Sequence, residues 1–246
     1  MGPDERLPHG GAVISRVASR AWTDATPTLL ALAALLAWDA SGWDLGVARW
    51  AGSSTGFAWR DAWWTSRLLH DGGRWAAWGL LLALAVAALR APAQGGAAVA
   101  GAAVVPGPGR AERRRWIAVM LVAVVAVPAL KRYSSTSCPW DLAEFGGVAS
   151  YVSHWRFGTL DGGAGHCFPS GHAVAAFAFV GQYFLWREHD PRRARAWLAG
   201  AGLAGLAFGT AQLLRGAHFP SHTLWSAWLC WTISAVAAHW PSPQPA

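Results

Sequence analysis

The residues best suited to chemistry in this sequence lie in the segment Gly165–Ala173, which reads Gly-His-Cys-Phe-Pro-Ser-Gly-His-Ala. Pro169 favours entry into a helix, and the Ser170 hydroxyl can cap that helix. Gly171 lets a ligand approach the backbone, and His172 can exchange a proton near neutral pH. An apolar stretch follows directly. A turn of this kind at the start of a helix can bind an anion, and phosphate is the anion we expect.

A second stretch with suitable residues is 215–222, which reads Arg-Gly-Ala-His-Phe-Pro-Ser-His and again places Phe-Pro-Ser before an apolar segment. The imidazole of His218 can act as a nucleophile toward phosphorus, and His172 can then protonate the leaving oxygen. Positive charges and free N–H groups would neutralise the phosphoryl oxygens. We expect these groups to come from four residues, Lys131, Ser170, Gly171 and Arg215.

Two other interpretations of these residues remain open from the sequence. Histidines and cations at helix ends are common at a membrane interface, where long side chains reach toward water. His218 and His222 are also four residues apart, a spacing that zinc sites on helices use. Because few carboxylates lie near these positions, phosphate chemistry is favoured over a metal site.

The composition indicates a polytopic membrane protein with one domain. Hydrophobic residues make up 54% of the 246 residues and charged residues only 13%, and 18 residues are tryptophan, which favours membrane–water interfaces. The net charge of +7 comes from arginines between apolar segments, so we relate it to orientation in the membrane and not to nucleic acid. Lys131 is the single lysine and follows an apolar segment, which suggests a role beyond solubility.

Apolar segments of near-spanning length predict an all-α fold, a bundle of six transmembrane helices. The segments are 22–43, 74–89, 116–130, 170–186, 196–214 and 222–239. Residues 45–73 form a Trp-rich amphipathic stretch that we expect to lie in the interface without spanning the membrane. Residues 1–21 are interpreted as a flexible cytoplasmic tail and 22–240 as the membrane domain, with its motifs within 131–222.

The distribution of basic residues predicts the orientation of these helices. The tail and the loops around residues 90–115 and 187–195 carry 12 basic residues, against 8 in the segments on the other side. The positive-inside rule then places both termini in the cytoplasm. The motifs around Lys131, Ser170 and His218 share the outer face, as a single active site requires. We therefore expect an integral protein of a bacterial inner membrane with its active site on the periplasmic face.

With these residues in view, the chain resembles the type-2 phosphatidic acid phosphatase superfamily of membrane enzymes. The family pattern is Lys-x6-Arg-Pro, then Pro-Ser-Gly-His, then Ser-Arg-x5-His-x3-Asp. Lys131 matches the first motif, in which Cys138 stands in place of the Arg, and residues 169–172 match the second motif in full. His218 matches the third motif, in which Gln212 replaces the Arg and His222 replaces the Asp.

The resemblance implies that His218 is the nucleophile and His172 the general acid, with no metal or other cofactor. His222 would orient His218 in place of the missing Asp. Arg215 lies about one helical turn after Gln212 and would replace the missing Arg of the third motif. Arg132 is a weaker candidate for the other missing charge.

These residues together predict metal-independent hydrolysis of a lipid phosphate or diphosphate through a phosphohistidine. A phosphotransferase that passes the group to another lipid head group is an alternative, as is a non-catalytic lipid-binding relative. The expected partners are the lipid phosphate substrate and membrane lipids, without nucleic acid. The lipid and the oligomeric state remain open.

Cysteines and several other polar residues complete the set of expectations. Cys138 and Cys167 fall in the outer loop, where an oxidising compartment permits a disulfide, and Cys230 is interpreted as a buried apolar residue. His70 and Asp71 could line a head-group site, although such residues more often tie loops. Two further carboxylates are expected at the membrane interface, Asp39 and Asp44.

Overall fold

The computed structural model describes residues 10–93 and 107–240, with side chains from Trp22 onward, and this part of the chain is helical without a β-strand. The all-α prediction is therefore confirmed. In chain order the helices are α1 (Gly10–Ser41), α2 (Trp43–Ala51), a π-helix (Trp64–Gly72), α3 (Gly73–Arg90), α4 (Arg110–Arg132), two short 3₁₀ turns (Pro139–Asp141 and Ala143–Phe145), α5 (Val174–Phe177), α6 (Val180–Trp186), α7 (Pro191–Leu214) and α8 (Pro220–His239).

Two helical segments of the described chain are long and apolar enough to cross a membrane, Trp64–Arg90 and Pro191–Leu214. A third span results if the pair Trp22–Ser41 and Trp43–Ala51, bent by 71°, is taken as one. The apolar stretch Val174–Trp186 is shorter. Six spans were predicted, and that number is not confirmed, although a membrane location is compatible with these helices.

The element boundaries differ from the prediction in both halves of the chain, and the predicted segment 170–186 is divided into α5 and α6. The π-helix continues into α3, so the helical segment runs from residue 64 to 90 and not only from 74 to 89. Gly73 continues the helix and does not end it. Its lack of a side chain allows close packing on α7, because a Cβ atom at Gly73 would lie 2.6 Å from the Phe208 ring. At the N-terminus, α1 begins at Gly10, inside the predicted tail, and residues 1–9 lie outside the described residues.

The centre of the bundle is built by α4, α6, α7 and α8. Trp116 of α4 stacks on Phe184 of α6, with ring centroids 5.6 Å apart, and Met120 lies in the same buried cluster. By contrast, leucines on the outer faces of α3 and α7 are exposed, for example Leu82 (66%) and Leu203 (69%). A helix that exposes leucines outward and packs its other face inward fits a lipid environment.

The start of α8 is held by a carboxylate from α2. The buried Asp44 accepts hydrogen bonds from the Ser221 backbone N–H at 3.0 Å and from Trp38 Nε1 at 2.8 Å, and the Ser221 hydroxyl also donates to it. Asp44 therefore supplies the cap that the N-cap residue Phe219 lacks. Asp44 is therefore enclosed by protein, where it fixes this helix end, and its expected depth at the membrane interface stays a prediction.

A disulfide joins Cys138 to Cys167, with their Cα atoms 5.2 Å apart, and this predicted pairing is confirmed. It connects the loop after α4 to the turn before α5. Cys230 is free and buried in α8, as expected. The disulfide thus holds together the two loops that carry the first and second motifs.

Candidate active site

One cavity of about 570 Å³ collects most of the predicted site residues. Its polar end is lined by Lys131, Gly171, His172, Arg215 and His218. An apolar limb of the same cavity extends between α3, α4 and α5, and it is lined by Ala77, Trp78, Leu81, Met120, Val124, Pro128, Val174, Ala175, Ala178 and Phe179. The cavity therefore offers cations and imidazoles at one end and hydrocarbon surface along the other.

His218 lies in the short loop between α7 and α8 and is 5% exposed. Its backbone N–H and that of Ala217 both point to the Gln212 carbonyl, at 3.4 and 2.8 Å. Its Nδ1 lies 3.4 Å from Nδ1 of His222, which is buried at the start of α8. Because Nδ1 has this partner, Nε2 is the nitrogen of His218 that remains for chemistry.

The charge state of His218 follows from its surroundings. This loop lies outside the membrane-spanning helices, and burial lowers the pKa of His218 well below its usual value. The positive charge of Lys131 acts in the same direction. His218 is therefore neutral at physiological pH, and a neutral imidazole is the form that can attack phosphorus.

His172 lies in the turn before α5 and lines the same cavity. Its Nε2 donates to the Leu69 carbonyl of the π-helix at 3.2 Å. Burial, and after it the neighbouring His70, lower the pKa of His172 to about 4. A bound phosphate would reverse part of this shift, because a nearby negative charge favours the protonated imidazole.

Lys131 and Gly171 lie side by side at the polar end of the cavity. A Cβ atom added to Gly171 would lie 3.7 Å from Cδ of Lys131, an ordinary van der Waals distance. A side chain at position 171 would therefore lie against the Lys131 stem, and glycine leaves this part of the cavity wall uncovered. Lys131 comes from the last turn of α4, where its charge also interacts favourably with the helix dipole.

The Ser170 hydroxyl caps the following turn as predicted, since it accepts from the Ala173 backbone N–H at 3.4 Å, but the predicted contact of its backbone N–H with an anion does not fit the structure. Its backbone N–H donates to the His222 carbonyl at 3.0 Å, so that N–H is not free for an anion. Its carbonyl accepts from the Ser226 hydroxyl at 2.8 Å, and the residue is fully buried. Ser170 instead ties the turn before α5 to α8, and this long-range contact has no sign in the local sequence.

Arg215 and Gln212 both line the cavity, as their one-turn spacing predicts. Arg215 Nε donates to the Arg60 carbonyl at 2.9 Å, and one of its terminal nitrogens lies 3.4 Å from Gln212 Oε1. Gln212 Nε2 is buried and has no hydrogen-bond partner in the part of the chain that the structure describes. A buried unpaired donor at a cavity wall is suited to an acceptor on a ligand, such as a phosphoryl oxygen.

Sequence reasoning missed Arg74 as a lining residue and gave His70 little weight, although both line the cavity. His70 comes from the stretch predicted to lie in the interface, and Arg74 is the first residue of the helix predicted after it. Arg132, the weaker candidate for a missing charge, is exposed and does not line the cavity. The signal that could have found Arg74 is its position one turn after His70 on one helix face.

A second polar cluster lies behind His222. His154 stacks on Phe168 with centroids 4.0 Å apart, and its Nε2 lies 3.2 Å from Oδ2 of Asp39. The indole nitrogens of Trp155 and Trp225 donate to the same oxygen at 2.9 Å. The Asp39 side chain is thus enclosed by protein and anchors the long loop onto α1 and α8, while its expected depth at the membrane interface stays a prediction.

The described residues place three metal-ligating types together, Cys167, His218 and His222, with ligand atoms within 4.8 Å of one another. However, the Cys167 sulfur is bonded to Cys138 and carries no thiolate. The remaining two histidines direct their Nδ1 atoms at each other. This set therefore does not fit a structural zinc site, which needs four ligands.

The comparisons with known proteins agree with this geometry. The family model of the PAP2 superfamily matches residues 115–245, just over half of the chain. No curated protein and no solved structure matches this chain. The chain therefore belongs to the PAP2 superfamily, the family that the motifs predict. Members of this superfamily are generally phosphatases, so phosphoester hydrolysis is the class of reaction to which the site belongs.

All seven residues predicted for catalysis and substrate binding fall inside the matched region, from Lys131 to His222. His70 and Arg74 lie outside it, in the first half of the chain. The cavity thus combines the family's motifs with residues from a segment that the family model does not cover.

Proposed function

We propose that this protein hydrolyses a lipid phosphate or diphosphate through a covalent phosphohistidine on His218. The observation that carries the proposal is the single cavity in which a cationic end meets an apolar limb. A phosphate group matches the cationic end, and a hydrocarbon tail matches the apolar limb. A water-soluble phosphate ester would leave the apolar limb unfilled.

In the proposed mechanism, His218 Nε2 attacks phosphorus while Nδ1 remains hydrogen-bonded to His222. Lys131 and Arg215 neutralise the phosphoryl oxygens, and Gln212 Nε2 donates to one of them without adding charge. His172, protonated once the phosphate is bound, gives its proton to the leaving alcohol. Water then releases inorganic phosphate from His218. No step requires a metal or another cofactor.

The location that we propose is the outer face of a bacterial inner membrane, with both termini in the cytoplasm. The Arg distribution supports this orientation, and the disulfide supports an oxidising compartment for the loops that it joins. The apolar limb would then lead from the membrane surface into the bilayer, where the substrate tail already lies.

The experiment is phosphate release by the purified protein in detergent over a panel of lipid phosphates and diphosphates, with and without chelator. His218→Ala should abolish release, and His166→Asn, an exposed histidine of the same outer loop, should not change it. Release that survives chelator and is lost in His218→Ala supports the proposal and shows the substrate class.

Three outcomes would contradict this proposal. Release abolished by chelator would indicate a metal hydrolase. Transfer of phosphate to an added acceptor lipid without release would indicate a phosphotransferase. Binding of lipid phosphate without turnover, equal in wild type and His218→Ala, would indicate a non-catalytic relative.

A further inference from the structure

The side chains of His70 and Asp71 lie beside the cavity and have no part in the mechanism above. His70 lines the cavity together with His172 and His218. Its ring stacks on that of His172, with centroids 4.5 Å apart and planes inclined by 28°. A histidine from the π-helix therefore reaches the same space as the proposed general acid.

The π-helix holds this histidine in a fixed place. Its Leu69 carbonyl accepts the hydrogen bond from His172, so the helix and the turn before α5 are joined at the site. One end of the π-helix is fixed on α7 through the close contact of Gly73 with Phe208. Wide π-turns are frequent at functional sites, where they redirect side chains.

Hydrogen bonds define the tautomer of His70. Its Nδ1 lies 3.1 Å from Asp71 Oδ1, and a carboxylate can only accept, so Nδ1 carries the hydrogen. Asp71 also accepts from Arg67 at 3.3 Å. Nε2 of His70 is consequently the nitrogen with the free lone pair. A carboxylate that orients a histidine in this way makes the other ring nitrogen a general base.

His172 is less suited to accept a proton. Its Nε2 hydrogen is directed to the Leu69 carbonyl, and among the described residues no carboxylate is hydrogen-bonded to its other ring nitrogen. It can give up a proton readily once protonated, which suits the first half-reaction. The second half-reaction needs an acceptor for the proton of water, and His70 is the stacked neighbour with a carboxylate partner.

We propose that His70, held by Asp71, accepts the proton of the water that hydrolyses phospho-His218. This inference rests on the proposed function. The water oxygen forms a bond to phosphorus while the bond from phosphorus to His218 Nε2 breaks, and its electron pair returns to the imidazole. The water proton moves to His70 Nε2, and inorganic phosphate leaves. The His70 side chain is 32% exposed, so its proton can return to bulk water.

The test separates the two half-reactions in a rapid-mixing experiment with the lipid phosphate that wild type hydrolyses. Alcohol release reports phosphorylation of His218, and the mass of the intact protein after alkaline quench reports the phosphoenzyme. In His70→Gln we expect a first-turnover burst of alcohol at nearly the wild-type rate. Steady-state turnover should fall roughly 10²-fold while phosphoenzyme accumulates, because only the base is lost.

Two further variants make the test specific. Asp71→Asn should also lower steady-state turnover and accumulate phosphoenzyme, but by a smaller factor, since it keeps His70 and loses only the orienting charge. Arg90→Gln is the control, because Arg90 is exposed at the far end of α3 and does not line the cavity, and it should behave like wild type. If His70→Gln does not fold, His70→Asn and Asp71→Asn carry the test.

The inference is overturned if His70→Gln slows the alcohol burst as much as the steady state, without phosphoenzyme. It is also overturned if turnover by His70→Gln equals that of wild type. A different result would identify failure of the proposed function itself: His218→Ala would retain turnover, and wild type would form no phosphoenzyme on any time scale.

Discussion

The Nδ1 atoms of His218 and His222 lie 3.4 Å apart, and both rings are buried. Two neutral imidazoles in this contact share one hydrogen, so one ring donates and the other accepts. When His218 donates, its Nε2 has the lone pair that attacks phosphorus. In the proposed mechanism His222 is the acceptor, and it would hold His218 in the reactive tautomer in place of the Asp of the family pattern.

His222→Ala is expected to lower kcat roughly 10²-fold with little change in KM, because His222 orients His218 but does not line the cavity. His222→Asn keeps a side-chain acceptor and should recover part of the loss. The check is steady-state kinetics with the lipid phosphate of the panel. An increase in KM at constant kcat would contradict this role.

Arg215→Ala should lower kcat/KM roughly 10²-fold, since it removes the positive charge nearest to the missing family Arg. Gln212→Ala should lower kcat/KM by a smaller factor, because Gln212 offers a neutral donor and no positive charge. Kinetics with Arg90→Ala as the control, an exposed Arg at the far end of α3, would measure the difference. Equal effects of Arg90→Ala and Arg215→Ala would mean that only net charge matters.

Reduction of the Cys138–Cys167 disulfide should decrease the free energy of unfolding. The two cysteines are 29 residues apart, and closure of a loop of that length corresponds to about 3.5 kcal/mol. Thermal unfolding in detergent, with and without reductant, would show a lower Tm in the reduced protein. Cys138→Ser with Cys167→Ser should unfold at the lower Tm under both conditions, and an unchanged Tm would contradict the prediction.

The depressed pKa of His172 predicts loss of stability in acid. The folded protein keeps His172 neutral down to a pH of about 4, whereas in the unfolded chain it binds a proton near 6.5. Protons then favour the unfolded state, so the free energy of unfolding falls as the pH decreases from 6.5 to 4, by roughly 2–3 kcal/mol. Above 6.5 both states are neutral at this residue, and it adds no pH dependence.

Thermal unfolding at pH 7.5 and pH 5 measures this effect. His172→Gln should show a smaller decrease in Tm between the two pH values than wild type. His166→Gln, at an exposed histidine, should show the wild-type decrease. The same decrease in all three proteins would assign the acid sensitivity to other groups.

Much of the site was predictable because its chemistry is local in sequence. His172, Gly171, His218 and Arg215 lie in two short motifs, and folding needs only to bring these motifs together. The family match confirms the recognition that they allow. The pairing of Cys138 with Cys167 was predictable for the same reason, since each lies beside a motif.

The remaining features depend on contacts between distant segments. Ser170 N–H is taken by the His222 carbonyl, and Asp44 caps a helix that begins 176 residues later, at Pro220. His70 reaches the cavity because a π-helix continues into α3, whereas the sequence around Gly72 and Gly73 suggests a break. Hydrophobic periodicity and helix propensity describe single segments, so they do not predict contacts between segments that are distant in the sequence.

The apolar limb of the cavity has a consequence for selectivity by chain length. Met120 precedes Lys131 by 11 residues on α4, about 16 Å along the helix axis. Each methylene that enters this limb contributes about 0.8 kcal/mol, nearly a fourfold change in kcat/KM when the gain is expressed in the transition state. The gain ends when the limb is full. We therefore expect kcat/KM to rise steeply with tail length among short-chain substrates and to be nearly constant among long-chain ones.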